Sequence, residues 1–391
     1  MGLYQTLFRK FFQVNVRSFC ALALFVVELS QPRAALAAEP DWDPERTWVF
    51  AVGLLEWQHS DIWASFPAAM KNRSDAQLVK LFRDAGVPDE QIVYLQDAKA
   101  TKARVQKRFA EFLDETDEGD FLVFYFAGHG YRDTETNQTW FATYDAGKKD
   151  ASGWAIRNVF KIIDDHFSGD RALLLADCCH SGALYDEVRK RGKDDIGFAT
   201  LTSSYTHNTS TGAWTFTNGL LSTFRGRPSI DYDRDSFIEL NEAHRYIAGE
   251  MAFVENQKSM FTASPKFSTT TKLAATVGRA APKADTHCEA YSEKEWYKAH
   301  VLAYDAASDQ YHVHYDGFDA KYDEWLPSSR VRGYTPREFA VGTRVEACDD
   351  SDDWYPAKVL ESWYGLHLVH YDDYDAAWDE WVGPDRIRPR K

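Results

Sequence analysis

An α/β fold, with a mostly parallel sheet between helices followed by two small β-barrels, is what this sequence of 391 residues predicts. Three observations carry the prediction. Strand-like runs alternate with amphipathic helical stretches from Arg46 to about Thr276, the pattern of a parallel sheet covered on both faces. Two of those runs, Phe121 to Phe126 and Ala172 to Ala176, are apolar almost without interruption, as strands buried on both sides are. Beyond residue 286 the composition shifts to Trp, Tyr, Asp and His, and the sequence repeats itself.

Taken in order, Arg9, Lys10 and Arg17 precede an apolar stretch from Phe19 to Leu29, and Ala35-Leu36-Ala37 offers small residues at the positions a signal peptidase reads. Residues 1–37 are therefore expected to be a secretory signal, which makes the mature chain secreted or periplasmic. The apolar stretch is short against the roughly 20 residues a bilayer span needs, so no stable membrane span is expected after cleavage. Trp48 to Val52 reads as a strand and Asp75 to Ala85 as a helix. Ile92 to Leu95 is a second strand, Thr101 to Leu113 a second helix, and Phe121 to Phe126 a third strand. Ile156 to Phe167 is helical, Ala172 to Ala176 and Phe198 to Thr202 are strands, and Leu240 to Met251 is a helix. Residues 46–276 thus form the first domain and 277–286 a linker. The linker shows no residue that would dock it, so whatever follows is expected to fold apart as a tether.

The net charge of −15 opposes nucleic-acid binding, which relies on Lys and Arg meeting phosphates. Five cysteines without metal-ligand spacing make neither a disulfide framework nor a zinc site, so no cofactor is expected. The exception is Asp231-x-Asp233-x-Asp235, followed by Ile238 and Glu242, which follows a calcium-loop pattern but has Ser236 where that loop needs Gly. The plainer reading is an acidic turn capping the next helix.

Chemistry gathers at two strand ends. Ala127-Gly128-His129-Gly130 follows the third strand, and Asp177-Cys178-Cys179-His180-Ser181-Gly182 follows the fourth. Open parallel sheets place their sites at such carboxyl ends. A thiol and an imidazole there are a minimal apparatus for acyl transfer. A residue next to Cys179 in the chain points away from it, so neither His180 nor Cys178 is the expected partner or nucleophile.

These segments, with Tyr125 and Phe126 before the first, resemble the caspase family, and more closely its metacaspase-like branch. The spacing of 50 residues (179 − 129) agrees with the His-to-Cys distance in caspases. The resemblance implies a caspase-type sheet and a cysteine endopeptidase. It makes Cys179 the nucleophile and His129 the acid/base, with Gly130 and the Cys179 N–H as the oxyanion hole. It also implies an acidic pocket for a basic residue before the cut, lined by Asp177 and by Asp75 in the imperfect segment Asn72-Arg73-Ser74-Asp75-Ala76. Asp75 reads equally as a helix cap. Arg189 to Lys193 is a candidate self-cleavage loop or a solvated basic turn.

In the C-terminal third, Trp296 to Leu302 recurs as Trp354 to Leu360, and Tyr311 to Asp316 as Leu366 to Asp372. Tyr322-Asp323-Glu324-Trp325-Leu326 recurs as Trp378-Asp379-Glu380-Trp381-Val382, at an offset of 56 (381 − 325). Residues 287–333 and 338–391 resemble Tudor-knot or chromo-barrel modules, small SH3-like barrels. The resemblance implies a possible aromatic ligand cage: Tyr297, Tyr315, Phe318, Tyr322 and Trp325 in the first copy, Tyr355, Tyr371, Tyr374, Trp378 and Trp381 in the second. Trp325 and Trp381 also suit a structural role, because small barrels need aromatics in their cores. The expected protein is a peptidase whose barrels bind an unidentified partner. The competing readings are a non-catalytic scaffold and a surface-binding protein acting through the aromatic repeats.

Overall fold

Apolar alternation along three adjacent strands builds the centre of the molecule. A computed structural model describes residues 40–66, 72–133, 135–147, 152–191, 195–278, 283–349 and 351–390. The expected signal at 1–37 lies outside the described residues. The first elements are β1 (Thr47–Gly53), α1 (Ser74–Asp84), β2 (Ile92–Gln96), α2 (Lys102–Leu113) and β3 (Phe121–Ala127). There follow β4 (Gly130–Asp133), β5 (Gln138–Phe141), β6 (Trp154–Ala155), α3 (Ile156–His166), β7 (Arg171–Asp177) and α4 (Ala183–Lys190). Next come β8 (Gly197–Thr202), α5 (Thr215–Phe224), β9 (Phe237–Glu239), α6 (Leu240–Glu255), β10 (Met260–Ala263) and β11 (Lys272–Ala275).

The six-stranded sheet has the order β10-β8-β7-β3-β1-β2. Its strands run parallel except β10, which lies antiparallel on the β8 edge. Successive side chains of a strand point to opposite faces. Phe50, Phe124 and Leu174 accordingly go to one face with Phe109 of α2 and Val159 of α3. Val49, Val123 and Leu173 go to the other, with Leu78 of α1, Leu220 of α5 and Met251 of α6. The fold class read from the sequence is the one observed. Unforeseen were α4, α5, β10 and the small sheets β4-β5-β6 and β9-β11. Arg189 and Lys190 close α4 instead of forming a loop, and Arg191 pairs with Asp164 while lying over Phe198. Residues 192–194 of that basic stretch lie outside the described residues.

The two C-terminal sheets repeat one another. The first comprises β12 (His287–Ser292), β13 (Glu295–Asp305), β14 (Gln310–Tyr315), β15 (Glu324–Pro327) and β16 (Val331–Gly333). The second comprises β17 (Arg344–Cys348), β18 (Trp354–Trp363), β19 (Leu366–Tyr371), β20 (Glu380–Val382) and β21 (Ile387–Pro389). Both are antiparallel and five-stranded with equivalent order, β15-β14-β13-β12-β16 and β20-β19-β18-β17-β21. Each bends its long second strand at a register shift, Val301/Ala303 and Val359/Glu361, as a bulge allows. Small interior residues such as Ala290, Ala299, Val301 and Val313 fill the first, with Ala347, Ala357, Val359 and Val369 in the second.

The expectation of a free linker and independent barrels is corrected. Asp285 accepts hydrogen bonds from Arg227 and Ser229 of the first domain. His287 stacks on Phe253 of α6 with centroids 4.1 Å apart, and Lys298 Nζ donates to the Phe253 carbonyl. From the second barrel, Leu366 and Trp381 pack with Ala252 of α6. The Lys258 ammonium lies 3.9 Å from the Trp363 centroid and 4.9 Å from that of Trp381. Burial of apolar surface holds both barrels to the first domain, and the sequence of the linker alone gave no sign of it.

Candidate active site

The β3–β7 ladder sets the site. Ala127 is paired with Asp177, and Gly128 N donates to the Asp177 carbonyl at 3.2 Å. His129 and Cys179 each stand two residues past that pair, on neighbouring strand ends. Gly130 then passes against the Cys179 backbone so closely that a Cβ there would lie 2.0 Å from the Cys179 carbonyl oxygen. Only glycine permits that approach.

The imidazole of His129 is walled by Trp57, Phe66 and Trp63, at centroid distances of 4.4, 4.5 and 5.7 Å. Trp57 and Trp63 are fixed through their indole N–H groups on the carbonyls of Ala142 and Ala146. His129 Nε2 lies 2.8 Å from the Ala64 carbonyl oxygen. A carbonyl can only accept, so Nε2 carries the proton and Nδ1 keeps its lone pair. Burial holds the His129 pKa below the ordinary histidine value, although the bond to Ala64 opposes this. The resting imidazole is neutral and able to take a proton.

Cys179 is half-buried, and its Sγ accepts from Ser210 N at 3.1 Å. The same Sγ donates to the Ser210 carbonyl at 3.7 Å. Cys178 is only 2% exposed, and burial pushes its thiol well above the usual range. His180, with φ +56°, turns away: Nδ1 donates to the Thr206 carbonyl and the backbone N–H to that of Asn208. Cys178, Cys288 and Cys348 are free thiols.

Asp177 lines a cavity of about 30 Å³ with Leu55, Phe66, Gly128, Gly212 and Trp214. The Thr217 hydroxyl donates to Asp177 Oδ2 at 2.6 Å and itself accepts from Tyr125 OH. Burial raises the Asp177 pKa to about 7, against the hydrogen bonds from Thr217 and Ser203. Asp75 is not among the residues around this cavity. It is fully buried, and its Oδ2 accepts from Arg73 and from Tyr94 OH, both at 2.7 Å. Its Oδ1 accepts from Ala76 N in the first turn of α1. Arg73 also reaches Asp97 and the Gly53 carbonyl, so Asp75 is satisfied from within the chain.

The cage candidates separate into eight and two. Tyr297, Tyr315, Phe318 and Tyr322 form a chain of near-perpendicular rings with centroids 5.9–6.4 Å apart, around a cavity of about 310 Å³ that Glu293 and Glu324 also line. Tyr355, Tyr371, Tyr374 and Trp378 repeat the arrangement at 5.7–6.3 Å. Trp325 instead stacks on His312, and Trp381 is buried against α6. In the acidic loop, the carboxylate oxygens of Asp231, Asp233 and Asp235 converge within 4.8 Å. They accept backbone N–H groups of their own turn, and Glu242 accepts from Tyr232, Asp233 and Glu239 as it caps α6.

Sequence reasoning missed the Trp57–Phe66 wall, although it lies in the loop leaving the carboxyl end of β1, on the same sheet edge. It also missed Asn208. The Asn208 amide donates to the Trp381 carbonyl at 2.9 Å and to Glu380, and accepts from Trp381 N. His207 Nδ1 donates to the Asp379 carbonyl and Arg132 to that of Ala377. The loop that holds Cys179 through Ser210 is therefore gripped by the second barrel. Among the described residues no helix is long and apolar enough to cross a membrane.

Residues 78–188 match the family model of the metacaspase peptidase C14 domain. Residues 282–333 match the Tudor-knot, described as the RNA binding activity-knot of a chromodomain, and 342–391 match the Agenet domain. Metacaspase-4 of Arabidopsis thaliana is 28% identical over 132 residues, which are 29% of this chain and 28% of that relative's length. Among solved structures, a protein of Geobacter sulfurreducens covers 59% of this chain and 100% of its own at 13% identity and a TM-score of 0.41. The AGD34 part of Arabidopsis thaliana AGDP1 covers 28% of this chain and 82% of its own at 22% identity and a TM-score of 0.14. In chain order, then, segments of this protein are similar to the metacaspase peptidase C14 domain, the Tudor-knot and the Agenet domain.

Proposed function

We propose that this protein is a cysteine endopeptidase that cuts after Arg or Lys, acts in a secreted or periplasmic setting, and uses its barrels to bind a partner. The observation that carries the catalytic part is the equal placement of His129 and Cys179 beyond the paired strand ends, with the His129 tautomer fixed by Ala64. His129 Nδ1 takes the Cys179 proton, and Sγ attacks the scissile carbonyl carbon. The backbone around Gly130 and Cys179 is the candidate donor to the oxyanion. The imidazolium returns its proton to the leaving amine. Water, deprotonated by His129, then cleaves the thioester and frees the thiol.

Cys179→Ala should abolish turnover of a fluorogenic peptide ending in Arg, while Cys178→Ala should keep most of it. The reverse pattern would reject the motif register.

A guanidinium matches Asp177 by charge. Because the Asp177 pKa is raised to about 7, the carboxyl is neutral below that pH and anionic above it. Turnover of Arg substrates should therefore rise as pH passes upward through about 7. This limb is distinct from that of His129, whose pKa is lowered. Asp177→Asn should remove the limb and cut kcat/KM for Arg substrates by about 10–100-fold, the worth of a charge-assisted bond of about 1.5–3 kcal/mol. An unchanged limb in the variant would reject the pocket assignment.

The two ring sets support recognition of a cationic side chain by cation–π attraction, with Glu324 adding charge in the first. The charge of −15 speaks against RNA as the ligand. In full-length Cys179→Ala protein, a trimethyllysine peptide should bind more tightly than its unmethylated form, and Phe318→Ala with Tyr374→Ala should erase the difference. Equal binding of both peptides would exclude the cage reading.

The grip of the second barrel on Asn208 supports a role beyond tethering. Removing residues 338–391, or changing Asn208→Ala to a lesser extent, should lower kcat on short peptides by about 10–100-fold, the scale of an ångström-level misplacement. Full short-peptide activity in the truncated protein would restore the simple tether.

A further inference from the structure

Where α6 meets the first barrel, three side chains aim at one point. His287 Nε2 lies 2.8 Å from Glu250 Oε1, and His300 Nε2 lies 3.0 Å from Glu250 Oε2. The three side chains are 13–14% exposed, and the imidazoles stand edge to face with centroids 4.8 Å apart. One atom from each falls within 4.8 Å of the others. We propose that Glu250, His287 and His300 bind a zinc-like divalent transition-metal ion that fastens the first barrel to the peptidase domain.

The back of each imidazole is already engaged. His300 Nδ1 is 2.6 Å from Asp316 Oδ1, and His287 Nδ1 is 2.9 Å from Tyr364 OH. Asp316 can only accept when ionised, so His300 Nδ1 carries a proton and its Nε2 is the nitrogen left to face Glu250. A carboxylate behind a histidine, with the far nitrogen aimed at a common centre, is the usual support of a metal-bound imidazole. Asp316 Oδ2 is buried with no hydrogen-bond partner. Two imidazole nitrogens and one carboxylate oxygen suit zinc, cobalt, nickel or copper, whereas calcium and magnesium take oxygen sets. Three protein ligands leave room for water as a fourth. Tyr364 comes from the second barrel, so the centre joins all three units. The proton-only alternative is a hydrogen-bonded His–Glu–His cluster of the same residues.

The test uses the full-length Cys179→Ala protein after chelator treatment, titrated with Co²⁺ and Zn²⁺. One equivalent of Co²⁺ should bind with visible d–d bands and without thiolate charge transfer, and Zn²⁺ should displace it and raise Tm. Glu250→Gln and His287→Asn should lose the bands, and Asp316→Asn should weaken binding by about 10–100-fold. Absence of stoichiometric binding in the parent, or bands with thiolate character, would overturn the proposal. So would binding of equal strength in the Glu250 and His287 variants. The spectrum of the parent decides even where a variant fails to fold.

Discussion

The parallel pairing of Phe121–Ala127 with Arg171–Asp177 is the constraint on which the rest depends. Side chains alternate along a strand, so a slip of one residue would turn every one to the opposite face. Large apolar side chains on both faces forbid that slip: Phe124 and Leu174 belong to one core, Val123 and Leu173 to the other. The same lock that keeps the cores intact puts His129 and Cys179 at one height and sends Asp177 toward Tyr125 and Thr217. Packing and chemistry are in this sense one feature.

A second dependence runs through a single loop. Asn208 gives its backbone carbonyl to His180 and its side-chain amide to Trp381, while Ser210 gives its N–H to the Cys179 sulfur. Only Thr209 stands between the residue that contacts Cys179 and the one that contacts the barrel. Displacement of the barrel is therefore displacement of the loop, unless Asn208 yields. The loop bears small polar residues and few large ones, so hydrogen bonds hold it more than burial does.

What the sequence revealed follows from range. Strands and helices of the first domain appear within a residue or two at most boundaries, because period-2 and period-3.6 patterns are local. The antiparallel β10 did not appear: Met260–Ala263 is short, only half-buried, and identified as a strand only by its partner β8. The dyad motifs were legible because strand-end residues are fixed by their own strands. The wall around His129, the hydrogen-bond chain from Tyr125 through Thr217 to Asp177, and the barrel contacts were not, since each joins distant segments by a few atoms. Asp75 shows the limit most clearly. The family resemblance implied a pocket wall, yet Arg73, two residues away, and Tyr94 on the next strand satisfy it internally.

The repeated barrels have parted at equivalent positions. Trp325 is 47% exposed and rests on His312, whereas Trp381 is 5% exposed beneath α6. Glu324 borders the open cavity of the first ring set, while Glu380 is buried, accepting from Tyr371, Arg386 and Asn208. Phe318 and Tyr322, like Tyr374 and Trp378, remain open to solvent, so docking consumed the strand after the rings and spared the rings themselves. In the second copy, Ala377 and Asp379 on either side of Trp378 give their carbonyls to Arg132 and His207. The second ring set therefore shares its backbone with the contacts that hold the loop of Asn208 and Ser210, and among the described residues the first does not. A ligand that shifts residues 376–381 has a direct mechanical route to Cys179 through Asn208; one held between Tyr297 and Tyr322 must act through the whole barrel and its junction at Glu250.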